Sequence, residues 1–98
     1  MTLDIDEIRN LPRSEQVFLN IATHLCLFPS TLIREIQVTA YERVYAVRVN
    51  YASLKTAKQF YHVFNFYRNG EEHEALRLLK LLSSHYPAFS VTGYTIEI

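Results

Sequence analysis

Alternation between apolar and polar side chains over residues 32–52 is the feature that most constrains how this chain can fold. Ile36 and Val38 alternate with Glu35, Gln37 and Thr39, and further along Tyr45, Val47, Val49 and Tyr51 alternate with Ala46, Arg48 and Asn50. Successive side chains of a β-strand point to opposite faces of its sheet, so a period of two indicates strands buried on one face. The pattern predicts two strands, at 32–40 and 43–52.

These two strands are close enough in sequence to form an antiparallel hairpin. A turn around residues 41–42 would place Val38 opposite Tyr45 and Glu35 opposite Arg48. That register brings apolar side chains together on one face and opposite charges together on the other. A hairpin is therefore predicted, and one long bent strand is the alternative.

Two helices are predicted before the hairpin. Residues 4–10 can form a short helix that ends before Pro12, because proline disfavours helical geometry at the residue preceding it. Ser14 is a suitable N-cap for a second helix over residues 15–28, which Pro29 ends. The apolar side chains of this second helix cover an arc of about 200°. So wide an arc predicts either a central helix in a three-layer fold or cover by a second copy of the protein.

The segment 60–67 holds five of the thirteen aromatic residues in the chain. Ser53 before it resembles a helix N-cap and Asn69-Gly70 after it a helix C-terminus, so a third helix is predicted over residues 54–68. Helical phase at about 100° per residue separates two arcs. The predicted buried arc is Leu54, Ala57, Phe60, Tyr61, Val63, Phe64 and Tyr67. The predicted outer arc is Lys55, Lys58, Gln59, His62, Asn65 and Phe66.

The C-terminal third predicts one more helix and one more strand. Acidic residues crowd the start of a helix over residues 71–85, where they complement the helix dipole. Residues 90–98 then alternate again and predict a third strand. We therefore expect a single α+β domain spanning residues 1–98, with a small three-stranded antiparallel sheet packed against two to three helices. The predicted order of elements is α-α-β-β-α-α-β.

The composition of the chain argues against some classes of protein but does not identify the function. Ten Lys plus Arg residues balance ten Asp plus Glu residues, so the positive charge typical of general nucleic-acid binders is missing. The acidic N-terminus is unlike a signal peptide, and no run of about 18 apolar residues could span a bilayer. Cys26 is the only cysteine and is expected to be an inert core thiol in a reducing compartment. A soluble cytoplasmic protein that does not bind membranes is the expectation.

No catalytic, metal or cofactor pattern is present in the sequence. Two glycines are too few for a phosphate-binding loop or a dinucleotide fingerprint. His24 and Cys26 are two positions apart on a predicted helix and hence on different sides, and no Cys-x-x-Cys or His-x-x-x-His pair occurs. We therefore expect a protein without enzymatic activity, cofactor or metal.

Several apolar residues stand where polar ones are expected, and they suggest a surface for a partner. Leu27, Phe66 and Leu81 interrupt the polar sides of three predicted helices, and a terminal strand without a charged tail is poorly protected against pairing with another chain. The predicted partner-binding residues are Lys55, Lys58, Gln59, His62, Phe66, Leu81, Tyr94, Ile96 and Ile98. They favour a non-catalytic protein-binding module, such as an adaptor, a regulator or a phage- or plasmid-type inhibitor of host machinery, that also forms a homodimer.

Two other functions stay open on the sequence alone. A nucleic-acid-binding protein would use the basic middle of the chain, because lysine and arginine side chains interleaved with aromatic rings bind single-stranded nucleic acid. The residues predicted for that role are Arg34, Arg43, Arg48, Lys55, Lys58 and Arg68. A small enzyme or ligand-binding domain is the other alternative, and it would need a pocket that the sequence does not reveal.

Overall fold

A computed structural model describes residues 10–93. Its elements are α1 (Arg13–Leu27), β1 (Thr31–Ala40), β2 (Val44–Ser53), β3 (Gln59–Tyr67), α2 (Glu72–His85) and β4 (Ser90–Thr92). The four strands form one sheet in the order β3-β2-β1-β4. The predicted helix over residues 4–10 lies outside the described residues.

The overall architecture is α+β, but the predicted three-stranded antiparallel sheet is wrong. Strands β1, β2 and β3 pair antiparallel, and β4 adds to β1 in parallel, so the sheet has four strands and mixed pairing. Four helices were predicted, two before the hairpin and two after it. The structure has two helices within residues 10–93, one before β1 and one after β3. They pack together against one face of the sheet, and no helix or strand of residues 10–93 covers the other face, which is called the open face below.

The β1–β2 hairpin was predicted, but its register differs from the predicted one by two residues. Val38 pairs with Val47, and Ala40 pairs with Tyr45. The turn is longer than expected because the Tyr41 N–H closes it by donating to the carbonyl of Val44 at 2.8 Å. A shift of two leaves the side chains of residues 35–40 on the faces that alternation predicts. Ile33 is the exception, because the register shifts between Ile33 and Glu35 and brings Ile33 into the core with Ile36. The predicted contact between Glu35 and Arg48 is lost, since Arg48 pairs with Gln37.

The predicted third helix, 54–68, is wrong, and the aromatic segment is strand β3. Ser53 Oγ does accept from the N–H groups of Lys55 and Thr56, at 3.2 and 3.3 Å, as a helix N-cap would. These bonds close a local turn, and the chain then returns along β2 from Gln59. Aromatic and β-branched side chains favour strands, and β2 offers this segment a complete hydrogen-bonding partner.

The core lies between the helix-facing side of the sheet and the two helices. Its buried side chains are Val17, Ile21, Ile33, Ile36, Val38, Tyr45, Val47, Val49, Tyr51, Phe66, Ala75, Leu78 and Leu82. Phe66, predicted on an exposed arc, is completely buried. The alternation of β3 directs Phe66 to the helix-facing side of the sheet, next to its partner Tyr45 on β2.

A buried polar contact joins the two helices. Ser14 was predicted as an N-cap, but Pro12 precedes α1 and no side chain caps that end. The Ser14 hydroxyl instead donates to Glu74 Oε2 of α2 at 2.6 Å, and both side chains are buried. A second pair at the surface, from Arg77 to Glu15 at 2.9 Å, lies between the same helices.

Strand β4 pairs with β1 and is the outermost strand on that side of the sheet. The Thr92 hydroxyl donates to Glu35 Oε1 at 2.6 Å. Gly93 follows with φ +71, and a Cβ on it would come within 2.5 Å of the Val38 carbonyl oxygen. This close approach requires glycine. The predicted strand over residues 90–98 is therefore present as Ser90–Thr92, and Tyr94, Ile96 and Ile98 lie outside the described residues.

Within residues 10–93, no helix has the length and apolar character needed to cross a membrane.

Candidate partner-binding site at the edge of the sheet

Strand β3 forms one edge of the sheet, and half of its backbone groups point away from β2. The carbonyl of Asn65 accepts from Arg13 Nη2 at 3.4 Å, and the N–H of Tyr67 donates to Glu71 Oε1 at 2.9 Å. Both contacts come from outside the sheet. Backbone groups of alternate residues point to the same side of a strand, so those of Tyr61 and Val63 also point outward. No described strand pairs with this side of β3.

The outer edge of β3 carries few of the features that protect edge strands. Proteins commonly guard such strands with lysine, proline, short length or a bulge. Residues 59–67 include no Lys, Arg, Asp, Glu or Pro, and the strand is nine residues long. Its register with β2 runs without a shift from Val44 opposite Tyr67 to Ala52 opposite Gln59. The edge is therefore long, regular and uncharged, which favours pairing with another strand.

Exposed apolar side chains border this edge on the open face of the sheet. Tyr61, Val63 and Tyr67 are 54%, 48% and 66% exposed. The Arg48 guanidinium lies 3.8 Å from the centre of the Tyr61 ring, and Arg48 Nε donates to Asn50 Oδ1 at 3.0 Å. The stacked arginine holds one face of the Tyr61 ring, so this ring stands in a defined position beside the edge.

An open groove of about 510 Å³ borders the same edge on the helix-facing side. Helix α1 runs along β3, because Arg13 reaches Asn65 at one end and His24 contacts Phe60 and His62 towards the other. One face of α1 and one residue of β3 line the groove: Gln16, Leu19, Asn20, Thr23, His24, Leu27 and His62. Leu27, predicted to interrupt the polar side of this helix, is 70% exposed.

The floor of the groove contains two imidazole rings. His24 and His62 have ring centres 4.8 Å apart, and a 3.1 Å hydrogen bond joins His62 Nδ1 to the hydroxyl of Tyr51. Burial, and then the neighbouring His62, lower the pKa of His24. Burial, and then Tyr86, raise the pKa of Tyr51. The shift at His24 favours the neutral imidazole, and the shift at Tyr51 favours the protonated phenol.

One atom of this floor has no partner. His24 Nε2 is buried, and no described group forms a hydrogen bond with it. Buried polar atoms of folded proteins are nearly always paired. His24 Nε2 is the exception to this rule among the described residues.

The structure brings some of the predicted partner-binding residues together and separates others. Lys55 and Lys58 are exposed in the loop before β3, Gln59 is exposed at its start, and His62 is half-buried in the groove. Phe66 is buried beneath the sheet and Leu81 is half-buried on α2, so neither offers an exposed apolar side chain. The remaining three, Tyr94, Ile96 and Ile98, lie outside the described residues.

Sequence reasoning missed the exposed residues of β3. Tyr61, Val63 and Tyr67 were predicted to be buried on a helix, and they are exposed on a strand. The signal that could have found them is the composition of residues 59–67, which lacks Ala, Leu, Glu and Lys and is typical of a strand. Leu54, also predicted buried, is 71% exposed in the loop.

The six cations predicted for nucleic-acid binding are spread over the sheet. Arg43 and Arg68 lie at one end of the β2–β3 pair, where Arg68 Nη1 donates to the Tyr41 carbonyl at 3.0 Å. Lys55 and Lys58 lie at the other end, where the Lys58 carbonyl accepts from the Ser53 N–H; Ser53 is ten residue steps from Arg43 along β2, or about 33 Å. Arg34 is exposed on β1, and Arg48 lies between the two ends on the open face. The four end cations thus form two separate pairs.

Two further expectations concern possible ligand groups. Cys26 was predicted as a core thiol, but it is exposed near the end of α1. Among residues 10–93, no three His, Cys, Asp or Glu side chains lie together as metal ligands would.

Comparison of the chain with protein-family models, curated proteins and solved structures finds no match.

Proposed function

We propose that this protein is a non-catalytic, cytoplasmic protein-binding module whose binding surface is the outer edge of β3. It acts by covering a surface of another protein, as an adaptor, regulator or inhibitor does, and it also associates with itself. The observation that carries the proposal is the long, uncharged edge strand with apolar side chains beside it on both faces. An extended segment that pairs with such an edge gains backbone hydrogen bonds, and the neighbouring pockets select its side chains.

The two faces beside the edge would give the interaction its specificity. Tyr61 and Val63 provide apolar contact on the open face, where Tyr61 is held by Arg48. On the other face, the groove offers polar groups of α1 and the apolar side chain of Leu27. Aromatic residues and arginine are enriched where interfaces derive most of their binding energy. Side chains on both faces of a docked strand would therefore contact this protein and contribute to specificity.

Val63→Pro is expected to abolish the capture of protein partners. Proline removes the outward N–H and places a ring at the edge, whereas no hydrogen bond to β2 is lost because that N–H points away from β2. Tagged wild-type protein and the variant are incubated with lysate of the native host, and retained proteins are quantified by mass spectrometry. A partner of the β3 edge is retained by the wild type and lost from Val63→Pro.

Val63→Thr is the matched control, because it keeps the β-branched shape and the N–H. Circular dichroism verifies that both variants are folded. Equal retention by wild type and Val63→Pro, or the absence of any retained protein, would count against the proposal.

A further inference from the structure

The sequence of β3 is nearly the same in both directions around His62. Gln59 corresponds to Asn65, Phe60 to Phe64, and Tyr61 to Val63. Each pair matches in chemical character: two amides, two phenyl rings and two exposed apolar side chains. A two-fold interface requires a surface that is complementary to itself. An antiparallel strand pair with a two-fold axis sets each residue opposite the one that is equally far along on the other side of the axis, so two apolar residues at such positions suit each other as partners.

We infer that β3 pairs antiparallel with β3 of a second copy around a two-fold axis at His62, so that two four-stranded sheets join into one of eight. This inference rests on the proposed function and names one partner of the same edge. In this register Tyr61 lies opposite Val63 of the second copy, and Phe60 lies opposite its Phe64. The open face then pairs Tyr61 with Val63, and the helix-facing side pairs Phe60 with Phe64 around the two His62 rings at the axis.

The backbone hydrogen bonds of this arrangement are available. Tyr61 and Val63 have outward N–H and C=O groups, so Tyr61 and Val63 of the second copy form a hydrogen-bonded pair, and the two-fold axis repeats it. The contacts of Arg13 with Asn65 and of Glu71 with Tyr67 mark where the free part of the edge ends. The two-fold axis at His62 therefore lies within the free part.

The charges at the two ends of β3 favour the antiparallel arrangement. Lys55 and Lys58 precede the strand, and Glu71 and Glu72 follow it. Antiparallel pairing brings the basic end of one copy towards the acidic end of the other. Arg68 also follows the strand, but its guanidinium is turned towards β2, where it donates to the Tyr41 carbonyl and lies 5.2 Å from the Tyr45 ring.

The groove beside α1 gives the second copy room on the helix-facing side. An added strand would lie about 4.8 Å beyond β3. Its helix-facing side chains, His62 of the second copy above all, would then enter the groove lined by His24 and Leu27. His24, whose Nε2 is buried and without a partner among the described residues, is one of the residues that line this groove. A second copy would bring its own His62 imidazole next to the His24 ring.

Disulfide trapping tests this register. In a Cys26→Ser background, His62→Cys places two sulfhydryls opposite each other across the two-fold axis. A non-hydrogen-bonded antiparallel pair has Cα atoms about 4.5 Å apart, which is within the range of disulfides. We expect His62→Cys to form a covalent dimer in a glutathione redox buffer. Tyr61→Cys and Val63→Cys should each dimerise poorly alone but form a mixed dimer when combined. Non-reducing electrophoresis and intact mass give the readout.

Sedimentation of the unmodified protein separates failure of this inference from failure of the proposed function. The wild type is expected to be a dimer at micromolar concentration. Val63→Pro should raise the dissociation constant of this dimer about tenfold or more, since the variant loses the hydrogen bonds of the Val63 N–H in both copies and its ring hinders the approach of the second strand. A wild-type monomer, or a dimer trapped better by Tyr61→Cys or Val63→Cys alone, would overturn the His62 register. If the wild type still retains a host protein that Val63→Pro does not retain, the proposed function is supported even though the dimer is not. If His62→Cys fails to fold, the paired cysteines at positions 61 and 63 decide the register.

Discussion

Phe66→Ala is expected to lower the free energy of unfolding by about 3–5 kcal/mol, the usual cost of deleting a buried phenylalanine ring. Phe66 is completely buried and packs in the core beneath β3. Arg13, whose guanidinium lies 5.5 Å from the ring centre, would lose this contact as well. Urea denaturation followed by circular dichroism measures the change.

The neighbouring Tyr67 provides the control for this substitution. It is on the same strand and also aromatic, but it is 66% exposed on the opposite face. Tyr67→Ala should therefore change the free energy of unfolding by only about 0.5 kcal/mol. Equal effects of the two substitutions, or a larger effect at Tyr67, would mean that the faces of β3 are assigned the wrong way round.

Ser14→Ala is expected to destabilise the protein by about 2–3 kcal/mol. The Ser14 hydroxyl donates to the buried carboxylate of Glu74 at 2.6 Å across the contact between α1 and α2. Hydrogen bonds to charged groups contribute about 1.5–3 kcal/mol, and a buried carboxylate that loses its donor is costly to leave unpaired. Thermal and urea denaturation measure the loss.

Ser84→Ala is the matched control for this prediction, because the Ser84 hydroxyl bonds only the Lys80 carbonyl of its own helix on an exposed face. It should change stability by a few tenths of a kcal/mol. A double variant, Ser14→Ala with Glu74→Leu, removes both polar partners and should recover part of the loss. If Ser14→Ala costs no more than Ser84→Ala, the buried contact does not stabilise the packing of the helices.

The sequence predicted the parts of the fold in which one physical signal is dominant. Alternation over residues 32–52 identified both strands of the hairpin, and the two-residue error in register left the side chains of residues 35–40 on their correct faces because the strand period is two. Helices α1 and α2 were predicted within one or two residues of their bounds, since proline and acidic residues mark their ends.

The aromatic segment was mispredicted because two signals conflict in it. Ser53 and Asn69-Gly70 look like the ends of a helix, and Ser53 does form the hydrogen bonds of an N-cap. Residues 59–67, by contrast, have apolar side chains at both odd and even positions, so the alternation typical of a strand is hard to see in them. Pairing with β2, a contact between segments that local patterns do not reveal, decides between the two.

The candidate site follows from that correction. When β3 is treated as a helix, Phe66 is predicted exposed and Tyr61, Val63 and Tyr67 buried, whereas in the strand Phe66 is buried and those three are exposed. Sequence reasoning also placed the unprotected edge at the C-terminal strand, because the number and order of strands were unknown. The strand order β3-β2-β1-β4 places β3 at an edge of the sheet, and no strand among the described residues pairs with its outer side. Lys55, Lys58, Gln59 and His62 remain next to it.

Amide hydrogen exchange at Tyr61 and Val63 tests the central claim most directly, because their N–H groups point out of the sheet and report on whatever binds the edge. In dilute protein these two amides should exchange fast, while those of His62 and Phe64, which face β2, stay protected. At concentrations where the protein associates with itself or with a captured partner, both outward amides should become protected. Association that leaves Tyr61 and Val63 exchanging as fast as in the dilute protein would contradict the account.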